Sequence, residues 1–208
     1  MVIDNRLNRG DNSCVETFCL PHKYNHEVIV EEGVAVRAIK RLYAEYSGNA
    51  DHGFEPKEIC EIAQGKRPGN MEAAKKAFAM FGEVAGDAMA TAVTLVDGLI
   101  VIGGGITAAR EFIMPALLKA MRGEMKTLRG ETLRRVQMHV FDLDDPDEFD
   151  KFAHGDNRRI KVYGTDDYVN YDPMKRIGVC ISKLGASQAI SVGAYAYALS
   201  QIDSKENQ

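Results

Sequence analysis

The run Asp97-Gly98-Leu99-Ile100-Val101-Ile102-Gly103-Gly104-Gly105-Ile106 limits what this chain can fold into more than any other stretch. Residues 99–102 form a short apolar run of the kind a buried parallel strand shows. Three consecutive glycines end it. Glycine has no Cβ, so the backbone can turn sharply there and a ligand can lie directly on it. Residues 108–122 then read as a helix, whose N-terminal N–H groups and dipole would face the same spot. Strand, turn and helix N-terminus together make a nucleotide cradle. The same residues also read as a tight turn with no ligand. No Gly-Lys-Ser/Thr follows, so the run is not a P-loop, and Ala108 stands where G-x-G-x-x-G requires its last glycine.

The rest of the chain fits an ordinary globular protein. Its 208 residues are 45% hydrophobic and 27% charged, which is enough to bury a core. A net charge of −4 and the absence of a basic stripe argue against direct nucleic-acid binding. Residues 88–106 are apolar but hold Asp97 and several glycines, so they read as helix, turn and strand rather than a membrane span. The polar start MVIDNRLNRGDN and four cysteines, Cys14, Cys19, Cys60 and Cys180, predict reduced thiols and a cytoplasmic location.

Periodicity predicts a helix over 31–46, with Ala38, Ile39 and Leu42 on one face, ended by Ser47-Gly48-Asn49. A short helix runs from Glu55-Pro56 to Ala63. Asn70 caps a long helix to about Val96, apolar around much of its circumference, where Gly82 and Gly86 would permit close packing. Pro115 lies inside the next helix. Beyond residue 127 the pattern changes. Residues 136–141, 159–163 and 177–181 read as strands, 146–152 as a helical turn and 166–173 as a polar aromatic loop. An alanine-rich helix follows over 186–201, with a frayed tail over 203–208.

The long alanine-rich helix, Asp97-Gly98, the strand, Gly103-Gly104-Gly105 and the closing Lys183-Leu-Gly-Ala-Ser-Gln-Ala-Ile-Ser-Val-Gly-Ala-Tyr-Ala-Tyr-Ala-Leu199 resemble the C-terminal half of a ROK-family, glucokinase-like sugar kinase. The resemblance covers roughly residues 4–202. It implies an α/β lobe of the ribonuclease-H-like, actin-like ATPase type, a mixed sheet flanked by helices. It implies ATP with Mg²⁺ as cofactor, with Gly103, Gly104, Gly105, Ile106 and Gly185 at the adenosine, and Leu184 and Ala186 beside the adenine. It implies a sugar substrate, a cytoplasmic dimer, and no direct contact with nucleic acid or membrane.

Glu16 falls where the family has a sugar-binding Glu in Gly-Glu-x-Gly-His, although Val15 and Cys19 replace the flanking Gly and the His. Glu31, with Glu32 beside it, matches a second sugar-binding Glu. Carboxylates at a helix N-terminus also simply favour its dipole. The family's Cys-rich zinc cluster is not matched. Cys14, Cys19, His22 and His26 lie within thirteen residues, but their spacing fits no standard site, so zinc is not expected.

The family's Asp-x-Gly-x-Thr phosphate loop, its catalytic Asp and its second phosphate motif are not matched in these 208 residues. No catalytic residue is assigned, and the chain is expected to be one lobe, over 1–208, of a two-lobe enzyme, inactive alone. The other reading of the same family is the lobe of a sugar-responsive transcriptional repressor, or a dimerisation module. Residues 136–171 exceed what the family core needs, and their aromatics predict a satellite core or an interface.

Overall fold

The computed structural model describes residues 2–3, 6–8, 10–12, 19–50 and 53–206. Two short antiparallel ribbons open the chain: β1 (Val2–Ile3) with β2 (Arg6–Leu7), then β3 (Pro21–His22) with β4 (Asn25–Ile29). The single helix expected over 31–46 is two helices, α1 (Glu31–Val34) and α2 (Val36–Ser47). Ala35 between them is extended, at φ −95° and ψ 167°. Packing makes the break, because Gly33 is buried so tightly that a Cβ there would lie 2.7 Å from both His22 and Val84. That contact fixes the direction of α1 while α2 turns to bury Ala38, Ile39, Leu42 and Tyr43.

Helix α3 (Pro56–Ala63) starts on a capping box, in which the Glu55 N–H donates to Glu58 Oε2 at 2.9 Å. The 26-residue α4 (Met71–Val96) starts where Asn70 Oδ1 accepts the Ala73 N–H at 3.0 Å. By length and composition α4 could cross a membrane, but it is the helix on which α1, α2, α3 and α5 (Arg110–Met121) pack. Against α5 the backbones nearly touch. A Cβ on Gly82 would sit 2.3 Å from the Ile113 carbonyl oxygen, and one on Gly86 would sit 2.3 Å from that of Leu117. Phe78 stacks on Phe112 beside this crossing, with ring centroids 6.1 Å apart. The core here is fully buried Phe78, Ile59, Ile62, Leu117 and Met121.

The central sheet has three parallel strands in the order β5 (Ile100–Ile102), β11 (Arg176–Ile181), β8 (His139–Asp142). Ile181 pairs with Ile102, and Ile177 with Val140. Among the described residues β5 is paired on one side only, as an edge strand, and Leu99 and Val101 are exposed, where a buried strand was expected. Between residues 121 and 176 lie the ribbon β6 (Glu124–Lys126) with β7 (Thr132–Arg134), helix α6 (Pro146–His154), and the ribbon β9 (Arg158–Lys161) with β10 (Tyr168–Tyr171). The stretch 168–171, read from sequence as loop, is therefore a strand. Of the aromatics in 136–171, Phe141 and Phe152 make an edge contact at 5.9 Å, while Phe149, Tyr163, Tyr168 and Tyr171 are exposed.

Helix α7 (Ala186–Glu206) runs further than expected, through residues read as a frayed tail. Its described side chains are almost all exposed, among them Ile190, Tyr195 and Leu199. The architecture is an α/β lobe of the actin-like ATPase type, with a parallel sheet, antiparallel ribbons and flanking helices.

Candidate functional site

Strands β5 and β11 end side by side, and the chain leaves both at their carboxyl ends, where ligands of open α/β sheets gather. From β5 it enters Gly103 and then Gly104, whose φ of +91° an L side chain rarely adopts. Thr107 closes the turn, its hydroxyl donating to the Gly104 carbonyl at 2.8 Å. A short 3-10 helix over Gly105–Ala109 intervenes before α5, so the expected helix start at residue 108 shifts to Arg110. The outer face of the turn is open. A Cβ built on Gly104 or Gly105 would meet no atom within 4 Å.

A cavity of about 740 Å³ lies beside this turn. Gly105, Ile106, Ala108 and Ala109 form one wall, and α3 forms the other with Lys57, Cys60, Glu61 and Gln64. Val36 and Phe78 add apolar surface. Burial and the nearby Glu111 carboxylate push the Cys60 thiol up, so it is a neutral part of the wall. Glu61 is engaged by Arg67 at 3.2 Å, and Gln64 donates to Glu111 at 3.0 Å. Lys57 and Lys66, also on the lining, carry no ion pair among the described residues. An apolar slot with a few placed polar groups and two free ammonium groups suits a planar base bearing an anionic tail.

The sequence-predicted residues divide. Gly105 and Ile106 line the cavity, while Gly103, Gly104 and Gly185 do not. Gly103 borders Ser182, whose N–H donates to the Ile102 carbonyl at 2.8 Å. Gly185 follows on the neighbouring strand end with open space around it, and neither Leu184 nor Ala186 lines the cavity. Glu16 and Cys14 lie outside the described residues.

Glu31 and Glu32 share one cation. Arg37 lies 3.3 Å from Glu31 and 2.6 Å from Glu32. The guanidinium holds the Glu32 carboxyl below the usual carboxylate range. Neither Glu lines the glycine-turn cavity. Among the described residues no group of three or more metal-ligating side chains comes together. Cys19 and His26 are exposed. His22 is half-buried over Gly33, and its Nδ1 accepts the Tyr24 N–H at 3.2 Å.

The α3 wall was not found from sequence. Its signal was the spacing 57, 60, 61 and 64, one stripe of a helix whose other face buries Ile59 and Ile62.

The model of the ROK family matches residues 25–139. A crystal structure of glucokinase from Parabacteroides distasonis superposes with a TM-score of 0.84 at 48% identity, over 96% of this chain and 54% of that one. A proposed sugar kinase from Cytophaga hutchinsonii, at 18% identity and a TM-score of 0.51 over 89% of this chain and 49% of that one, shares the fold. The chain thus spans about half the length of these solved relatives. No curated protein matches it.

Proposed function

The chain belongs to the ROK family, and on that premise we propose that it is the nucleotide-binding lobe of an ATP-dependent, glucokinase-like hexose kinase. The observation that carries this reading is the open glycine turn facing a largely apolar cavity of about 740 Å³. The 48% identity to a glucokinase structure supports the substrate class.

Phosphoryl transfer is chiefly positioning and charge stabilisation. In this reading the adenine enters between Ile106 and the α3 wall, and the backbone of Gly104 and Gly105 lies against the ribose or phosphates. Lys57 and Lys66 offset the negative charge of the tail. Mg²⁺, arriving with ATP, neutralises the phosphates undergoing transfer. Glu31 or Glu32, turned from Arg37, accepts sugar hydroxyls. No residue is assigned as the base, because a base must reach the hydroxyl it deprotonates. The chain is accordingly proposed to bind nucleotide without phosphorylating sugar by itself.

The test is calorimetric titration of the 208-residue chain with Mg-ATP, with and without glucose, alongside a coupled assay for hexose phosphorylation. Saturable ATP binding without turnover is expected. The absence of binding by folded protein overturns the nucleotide site, and turnover overturns the assignment of the chain as an incomplete catalytic unit.

A further inference from the structure

A second cleft, of about 420 Å³, lies at the opposite edge of the sheet from β5 and shares no residue with the glycine-turn cavity. Its floor is apolar, made by Val136, Met138 and Phe141. Its rim carries three cations from separate elements, Arg122 from the end of α5, Arg134 from β7 and Lys151 from α6, against two carboxylates, Glu124 and Glu148.

Their pairing is uneven. Arg122 is satisfied, donating to the Val140 carbonyl at 3.0 Å and to Glu148. Arg134 has no carboxylate within ion-pair distance among the described residues. Its cross-strand neighbour is Glu124, yet its guanidinium turns away and lies 3.1 Å from His139 Nε2. Lys151 makes no ion pair or side-chain hydrogen bond among the described residues. Two cations without a carboxylate partner among the described residues, Arg134 and Lys151, thus line one cleft with the His139 imidazole and the Glu124 carboxylate.

Each part suits a different piece of one ligand. A guanidinium fork and an ammonium group match a phosphate. A carboxylate accepts hydroxyl hydrogen bonds. Apolar and aromatic surface takes the C–H face of a small ring, and the volume lies in the range of about 300–1,000 Å³ typical of small-molecule sites. We propose that this cleft binds a phosphate monoester of a small polyhydroxylated body, the chemical class of a sugar phosphate, with Arg134 and Lys151 on the phosphate and Glu124 on the hydroxyls. The proposal uses none of the residues of the nucleotide reading and does not rest on it.

The experiment titrates the whole chain with glucose 6-phosphate, and separately with inorganic phosphate, at low salt. Glucose 6-phosphate should saturate and bind more tightly than inorganic phosphate. Arg134→Gln and Lys151→Gln should each weaken it at least fivefold, and Glu124→Gln should narrow its advantage over inorganic phosphate. Gly105→Val, at the other cavity, should leave it unchanged. All three cleft side chains are exposed, so their replacement leaves the core intact, which an unchanged thermal midpoint verifies. No saturable binding, or Arg134→Gln and Lys151→Gln variants that both bind like the parent, overturns the site. Equal affinity for the two probes overturns the ligand class.

Discussion

Asp144 Oδ2 accepts the backbone N–H of Ile181 at 2.8 Å. Ile181 is the last residue of β11 and pairs with Ile102, the last residue before the three glycines. The same Asp144 oxygen lies 3.4 Å from Arg110 Nε, at the head of α5. A loop carboxylate therefore fixes both structures that flank the glycine turn. Asp144→Ala should cost about 2 kcal/mol in urea unfolding, since it strands a partly buried N–H. Asp144→Asn, which keeps an acceptor, should cost less. An equal loss in both variants would show that charge, not the hydrogen bond, is what matters.

Gly104 and Gly105 should respond differently to the same substitution. Gly104 has a φ of +91°, so Gly104→Val strains the backbone as well as obstructing the turn. Gly105 has no such constraint, and its Cβ would enter open space beside the cavity. Gly105→Val should therefore abolish Mg-ATP binding in calorimetry with little change in thermal midpoint. Unchanged ATP affinity would place the nucleotide elsewhere.

The close crossing of α4 and α5 gives a stability prediction. Gly82→Ala drives a methyl against the Ile113 carbonyl, a backbone atom that cannot rotate away. The expected loss is about 2–3 kcal/mol by chemical denaturation. Gly193→Ala in α7 meets nothing within 4 Å and should gain about 0.5–1 kcal/mol from helix propensity. A neutral Gly82→Ala would mean that the helices can part without cost.

His22 links stability to pH. Burial, and secondarily the Arg41 cation, hold its imidazole below the ordinary value of 6.5. The unfolded chain thus takes up a proton at higher pH than the folded one. The stability this contributes is present above about 6.5 and is lost as pH falls through the depressed folded value. Thermal midpoints measured from pH 8 to pH 5 should fall in the parent and fall less in His22→Asn, which retains an acceptor for the Tyr24 N–H. Parallel curves for the two proteins would count against the assignment.

What the sequence disclosed follows from where its signals are local. The Asn70 cap, the apolar breadth of α4 and the small residues Gly82 and Gly86 are properties of one helix, and each appears as expected. The break at Ala35 was hidden because alanine favours helix. Beside the break Gly33 packs closely against His22 and Val84, residues from distant positions that no local pattern reveals. Strand β9 falls within two residues of the strand read over 159–163, whereas its partner β10 is exposed on both faces, so Tyr168–Tyr171 carries no polar–apolar alternation to read. The glycine turn was legible, whereas the α3 wall opposite it was not, because the two are brought together by packing across some fifty residues of chain.

Helix α5 is pinned at both ends. At its head Arg110 meets Asp142 at 2.6 Å, and at its foot Arg122 meets Glu148. Glu148 in turn accepts the Asp142 N–H at 2.7 Å, which closes the circuit. Twelve residues at 1.5 Å rise make this a strut of about 18 Å. Sliding α5 along its axis would break both anchors, so the glycine turn at one end and the far end of the sheet share one brace.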